Sequence, residues 1–140
     1  MTGRLVAFDA DVLIYAAVAG HPLGDRVAEL FKSAGSESAG VGSVLLLTEV
    51  LVKPLRDDPG SQEVAALMGL LSRLDLVPLD EATARLSLSL AVSYGLRAAD
   101  AAHLATAIAA GADVFLTNNR KDFPKAITEI DVVYPDELAV

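Results

Sequence analysis

The apolar positions of this chain fall into short blocks whose period switches repeatedly, and the blocks predict strands and helices in alternation. Leu5, Val6, Ala7 and Phe8 form a run suited to a buried strand, followed directly by DADVL at residues 9–13. Residues 12–19 stay apolar up to a turn-rich break, Gly20-His21-Pro22-Leu23-Gly24. Beyond it Val27, Leu30 and Phe31 recur at helical spacing, with Asp25 as the expected N-cap of a helix reaching Ala34. His21 is expected to be a solvated loop residue without a role. The small residues 35–42 form a loop closing on a very short second strand.

Ser43 is the expected cap of the next helix, which runs through VLLLTEVLVK until Pro54 stops or kinks it, and residues 56–60 read as a turn. Val64, Leu67, Met68, Leu71 and Leu74 mark an amphipathic helix, and LVPLD at residues 76–80 reads as a third strand. Asp80 can cap a helix beginning at Glu81. Leu86-Ser87-Leu88-Ser89-Leu90 alternates as a strand would, but it lies between a strand and a further helix, and Gly95 supplies a C-terminal stop; helix is the reading. Residues 98–110 are helical, with Ala101, Leu104, Ala105 and Ile108 as the buried stripe. Residues 113–117 and 130–134 are the fourth and fifth strands. This order predicts a single α/β domain over residues 1–140. Its architecture is a three-layer α/β/α sandwich around a central, mostly parallel sheet of four to five strands.

Composition narrows the class. The chain is 53% hydrophobic but only 5% aromatic, with no Trp, which suits closely packed helices around a small sheet and excludes disorder. With no Cys there are no disulfides and no thiolate metal site, in keeping with a reducing compartment. The first residues lack the pattern of a signal peptide, and no apolar stretch reaches the roughly 18 residues needed to span a bilayer. A cytoplasmic protein without membrane contact is expected. The net charge of −8 excludes a protein that coats nucleic acid with its whole surface, yet it permits a local site and leaves room for a basic protein partner.

Candidate chemistry gathers at strand ends. Asp9 and Asp11 stand where the first strand should stop, the position at which ligands collect in open α/β sheets. Thr117, Asn118, Asn119 and Asp122 follow the fourth strand. Glu49 lies among Leu and Val; its ordinary reading is a surface carboxylate paired with Lys53 four residues on. Asp100 is in the first turn of its helix, where the dipole favours an acid. His103, three residues later, is a possible metal ligand but more often such a residue packs or hydrogen-bonds. A parallel sheet allows these segments to meet at one edge, where mutually repelling carboxylates call for a hard cation. Oxygen donors suit Mg²⁺ or Mn²⁺, ions that support in-line attack on phosphorus. With no activated Ser, Cys or His evident, metal-assisted phosphodiester hydrolysis is the inferred reaction.

DADVLIY at residues 9–15, SVLLLTEVL around Glu49, AADAAHLATA around Asp100 and LTNNRKDF from Leu116 come in the order and spacing of PIN-domain nucleases. The chain resembles, more narrowly, the VapC-type toxins of bacterial toxin–antitoxin pairs, over about residues 4–134. The resemblance implies a metal-dependent ribonuclease with acidic ligands at Asp9, Glu49 and Asp100 and support from Thr117. It further implies a homodimer and inhibition by a small antitoxin. It also turns Glu49 and Asp100 from separate surface acids into members of one set.

Two positions depart from the common pattern. Asn119 stands where an acid is frequent; its amide can offer an oxygen but adds no charge, and Asp122 is the alternative fourth carboxylate. Asp11 replaces the usual Asn, Ser or Thr and can restore the missing charge. Arg97, Arg120, Lys121 and Lys125 lie in or beside the motifs as candidate phosphate contacts, with Lys53 and Arg56 similar; each is equally well an ordinary solvated charge. Two other functions compete. A haloacid dehalogenase-type phosphatase would use Asp9 as nucleophile and Asp11 as general acid, but leaves Glu49 and Asp100 unexplained. A non-catalytic PIN-like module binding RNA or protein is motivated by Asn119.

Overall fold

The computed structural model describes residues 4–138. In chain order these form β1 (Val6–Phe8), α1 (Ala10–Ala16), α2 (Pro22–Ala34), β2 (Gly40–Ser43), α3 (Leu46–Asp57), α4 (Gln62–Leu71), β3 (Leu74–Val77), α5 (Glu81–Tyr94), α6 (Ala98–Ala109), β4 (Val114–Leu116) and β5 (Asp131–Val133), with a 3-10 turn at Pro135–Glu137. The five strands pair in parallel in the order β3-β2-β1-β4-β5. The chain builds outward from β1 on one side and then restarts at β4 on the other. The β1/β4 boundary is therefore the switch point of the sheet, where connections leave in opposite directions and open a crevice.

Strand alternation divides the core into two. Ala7 stands opposite both Val41 and Phe115, and Phe115 opposite Val132; all four point to the layer of α5 and α6, against Leu90, Leu104, Ala105 and Phe123. Phe8 and Leu116, the next register pair, point the other way, onto Leu13, Val27, Phe31, Leu46, Val50 and Leu67 of α1–α4. The expected three-layer α/β/α sandwich is thus present, and the sheet is wholly rather than mostly parallel. Among the described residues no helix is long and apolar enough to cross a membrane.

Local starts and stops agree with the sequence where a side chain decides them. Asp80 accepts from the Thr83 amide at 2.8 Å to begin α5, and Gly95, at φ +66°, ends it in the left-handed region that glycine adopts without a Cβ penalty. Elsewhere tertiary contacts override the local signal. α2 begins at Pro22, not at Asp25: Pro at the first helical position loses no hydrogen bond, and His21 Nδ1 accepts from the Gly24 amide at 3.1 Å. His21 also stacks on Tyr15, with ring centroids 4.6 Å apart, so it has a structural role after all. Gly24 lets α2 approach α1, because a Cβ there would lie 2.0 Å from the Tyr15 carbonyl oxygen.

Ser43 closes β2 and its hydroxyl accepts from the Leu45 amide at 3.1 Å; α3 itself starts at Leu46 with no side-chain cap. Pro54 does not stop α3, which continues to Asp57, since a proline so near the C-terminal end removes one ladder bond and leaves the last turn intact. Leu74 belongs to β3 rather than to α4. It and Leu76 register with Gly40 and Gly42, so β3 begins two residues before the LVPLD run.

Candidate active site

Asp9 leaves β1 and caps α1. Its amide donates to the Leu116 carbonyl at 3.0 Å, tying the ends of β1 and β4 together, and its Oδ1 accepts from the Ala10 amide at 2.9 Å. Oδ2 accepts from the Thr117 hydroxyl at 2.8 Å; Asp9 is 5% exposed and Thr117 fully buried. Burial pushes the Asp9 carboxyl above the ordinary range and the Asp100 charge adds to this, although His103, the Thr117 hydroxyl and the Ala10 amide act in the opposite sense.

Within the first turn of α1, Asp11 faces the same crevice. Its Oδ2 accepts from the Asn118 amide at 3.0 Å, which fastens the loop after β4 to α1. Its pKa is pushed up to about 7, first by burial and then by the neighbouring Asp9, with a further contribution from Asp100 and relief from the Asn118 and Val12 amides. The three aspartates thus form one electrostatic group. The remaining acids approach from the helices. Asp100, in the first turn of α6, acts on both Asp9 and Asp11, and Glu49 stands in the first turn of α3.

Glu49 does not pair with Lys53. Its Oε1 lies 3.0 Å from His103 Nε2, whereas Lys53 reaches Asp57 at 3.5 Å. The Glu49–His103 contact has the distance of an ion pair but not the alignment of a hydrogen bond, and both ring nitrogens are buried without hydrogen-bond partners. Arg97, 83% exposed, extends its guanidinium toward two acids at once, 3.4 Å from Asp100 Oδ2 and 3.9 Å from Asp122 Oδ2.

The loop after β4 organises itself. The Asn119 amide nitrogen donates to Asp122 Oδ2 at 3.0 Å, its side-chain oxygen accepts from the Asp122 amide at 3.3 Å, and its own backbone amide donates to the Thr117 hydroxyl at 3.0 Å. Asn119 Oδ1 is therefore engaged inside the loop, and Asp122 is held at its rim beside Arg97. Asn118, which the sequence places past the fourth strand without a role, bears on the cluster more closely: besides its bond to Asp11, its side-chain nitrogen donates to the Tyr15 hydroxyl at 3.4 Å. The signal was its position immediately after the strand-ending Thr117.

The basic residues divide. Arg97 reaches the acids, and Lys121 is exposed on the loop. Arg120 turns away to Asp136 at 2.8 Å, 4.3 Å above the Tyr134 ring, and Lys125 is bound to the Val132 carbonyl at 2.7 Å and to Glu137.

Whether these residues fit a cation is decided by their unused oxygens. Asp11 Oδ1, Asp100 Oδ2 and Asn118 Oδ1 are buried with no hydrogen-bond partner. Asp100 Oδ2 has the Arg97 guanidinium 3.4 Å away without a hydrogen bond, Asp11 Oδ1 lies beside like charges, and a hard divalent ion would satisfy both. The donor set, all oxygen, fits Mg²⁺ or Mn²⁺. Among the described residues no three acidic or histidine side chains already converge on one coordination point, so closing around an ion takes side-chain rotation.

The PIN domain family matches residues 6–127 of the chain. No curated protein sequence matches it. Among solved structures, a toxin–antitoxin complex from Klebsiella pneumoniae contains a chain 28% identical, with 93% of this chain and 97% of that one aligned at a TM-score of 0.72. VapBC2 from Rickettsia felis, bound to a DNA fragment from its promoter, is 20% identical over 94% and 98% of the two chains at a TM-score of 0.72. DNA-bound VapBC from Salmonella typhimurium is 19% identical over 95% and 99% at 0.74. The last two show likeness of fold.

Proposed function

The chain belongs to the PIN-domain family, and from that premise we propose that it is a Mg²⁺- or Mn²⁺-dependent endoribonuclease, the toxin of a toxin–antitoxin pair. One observation carries the reading: at the switch point of the sheet, Asp11 and Asp100 each keep a buried carboxylate oxygen without a hydrogen-bond partner, and both bear electrostatically on the buried Asp9. Family membership removes the phosphatase alternative.

In this reading Asp9, Asp11, Asp100 and Glu49 hold the cation, with Asp122 at the rim as a further acid. A divalent ion held there supplies Lewis acidity and a more acidic bound water. The protein's own part is orientation. Thr117 and the Ala10 amide fix both oxygens of Asp9, so that this carboxylate presents a set face to the crevice. The Asn118 amide turns the free oxygen of Asp11 inward. Arg97 and Lys121 contact the phosphate backbone, a role that carries no sequence information. Arg120 contributes to RNA contact only after leaving Asp136.

The Klebsiella pneumoniae neighbour, a toxin–antitoxin complex, supports an antitoxin partner. The net charge of −8 favours a basic segment on that partner. Leu88 and Val92 on α5, 66% and 78% exposed, supply apolar surface for a homodimer. A cytoplasmic site of action follows from an RNA substrate. A second reading, a non-catalytic binding module, is favoured by Asn119 alone, whose amide is spent on Asp122 where an acid is common in the family.

Induction of the chain in a bacterial host, alone and with its neighbouring reading frame, tests the proposal. Growth arrest that the neighbour relieves and that Asp9→Ala abolishes is expected. Unaffected growth, or arrest undiminished by Asp9→Ala, contradicts it.

A further inference from the structure

His103 is buried to 2% on α6, and neither ring nitrogen has an aligned hydrogen-bond partner. A neutral imidazole carries one donor and one acceptor, so its burial among alanines and leucines needs a polar counterpart. The counterpart within reach is Glu49, whose Oε1 is 3.0 Å from Nε2.

The two residues come from different layers. Glu49 belongs to α3, which packs through Leu46 and Val50 on one face of the sheet; His103 belongs to α6, which packs through Leu104 and Ala105 on the other. Their contact reaches across the carboxyl edge of the sheet, and among the described residues no other hydrogen bond or ion pair joins α3 to α6. Glu49 has another potential partner in Lys53, one turn along its own exposed face, so its direction is a contest between a local cation and a buried ring from the opposite layer.

We propose that His103 is a positioning residue that holds the Glu49 carboxylate toward Asp9 and Asp100 through the 3.0 Å contact between its Nε2 and Oε1. The inference rests on the metal-centre reading above for its consequence, but the contact itself exists without a metal. His103 touches neither substrate nor ion; it withdraws Glu49 from Lys53 and presents it to the crevice. Partners of this kind, behind a metal ligand, alter affinity by about 10–100-fold when removed.

The experiment has two arms. The chain has only two histidines, so ¹⁵N-imidazole NMR of the metal-free protein resolves His103 from His21. Glu49→Gln is expected to shift the His103 nitrogen resonances and leave His21 unmoved; unchanged His103 resonances overturn the proposal. In the second arm, Mn²⁺ affinity is measured for the parent, His103→Leu, His103→Gln, Glu49→Gln and the double variant His103→Leu/Glu49→Gln. His103→Leu is expected to bind about 10-fold more weakly, His103→Gln to recover most of the loss, and the double variant to match Glu49→Gln alone. Parent-like binding by His103→Leu, or equal losses in the Leu and Gln variants, overturns it. Failure of the parent to bind Mn²⁺ refutes the metal-centre reading instead, and the NMR arm then decides the contact. If His103→Leu does not fold, the Gln variant and the NMR arm remain decisive.

Discussion

The Thr117 hydroxyl donates to Asp9 Oδ2 at 2.8 Å, and the pair is shut away from solvent at the junction of β4 and β1. A hydroxyl is the one short donor that can reach a carboxylate there without adding charge. Thr117→Val keeps the shape and deletes the donor. We expect it to cost about 1.5–3 kcal/mol of stability, the range for a hydrogen bond to a charged group, and to raise the Asp9 pKa further. Thr117→Ser should retain most of the parental behaviour. Denaturant titration of the three proteins checks the order.

Asp11 makes the metal-free protein more stable in mild acid. Its folded pKa, about 7, lies above the ordinary aspartate value of 3.8, so the fold holds its proton more tightly than the unfolded chain does. The stability is complete below about 3.8 and is lost as pH rises through about 7. The upper figure is roughly 4 kcal/mol. Asp80, Glu129 and Glu137, whose pKa values are lowered, work in the opposite sense only below the ordinary carboxylate range. Thermal melts of the parent should therefore rise between pH 7.5 and 5.5. Asp11→Asn, which can still accept from Asn118, should raise the melt at pH 7.5 and flatten the dependence.

On the proposed function, Arg97 is expected to act in opposite senses on a cation and on RNA. Its guanidinium lies against Asp100 and Asp122, where it would compete with a cation and meet phosphate. Arg97→Ala should tighten Mn²⁺ binding on the order of two- to five-fold, the scale of an exposed pair. It should weaken RNA binding and reduce the salt slope of that binding by about 0.7. Calorimetry with Mn²⁺ and RNA binding at several salt concentrations separate the two.

Gly24 is a packing requirement of the α1–α2 contact. A methyl group there would sit 2.0 Å from the Tyr15 carbonyl oxygen, a backbone atom that cannot rotate aside. Gly24→Ala should cost about 3 kcal/mol or more. Gly69→Ala, whose added carbon meets nothing within 4 Å in the last turn of α4, should be neutral or stabilising.

Much of this was legible in the chain because it is local. An apolar run ending in Asp9, the Asp80 cap and the Gly95 stop are read from neighbouring residues, and the alternation of periods implies a parallel sheet with its crevice at a switch point. What escaped is set by contacts between distant segments. The i, i+4 rule pairs Glu49 with Lys53, but the ring of His103 arrives from the other side of the sheet. Arg120 reads as a loop cation until the C-terminal turn brings Asp136 and Tyr134 beneath it. Asn119 reads as a substitute ligand until Asp122 folds back onto both ends of its amide. Asp25 reads as the start of α2 until the His21 imidazole, not an Asp carboxylate, takes the cap.

The most direct test is the rate at which purified protein cleaves a labelled mixed RNA pool as Mn²⁺ is added, for the parent and for Asp100→Asn. Cleavage by the parent should rise from baseline with Mn²⁺ and saturate, and the variant should fall by at least about 10²-fold at every concentration. Parent cleavage that is independent of Mn²⁺, or a variant as fast as the parent, would contradict a metal centre built on the aspartate cluster.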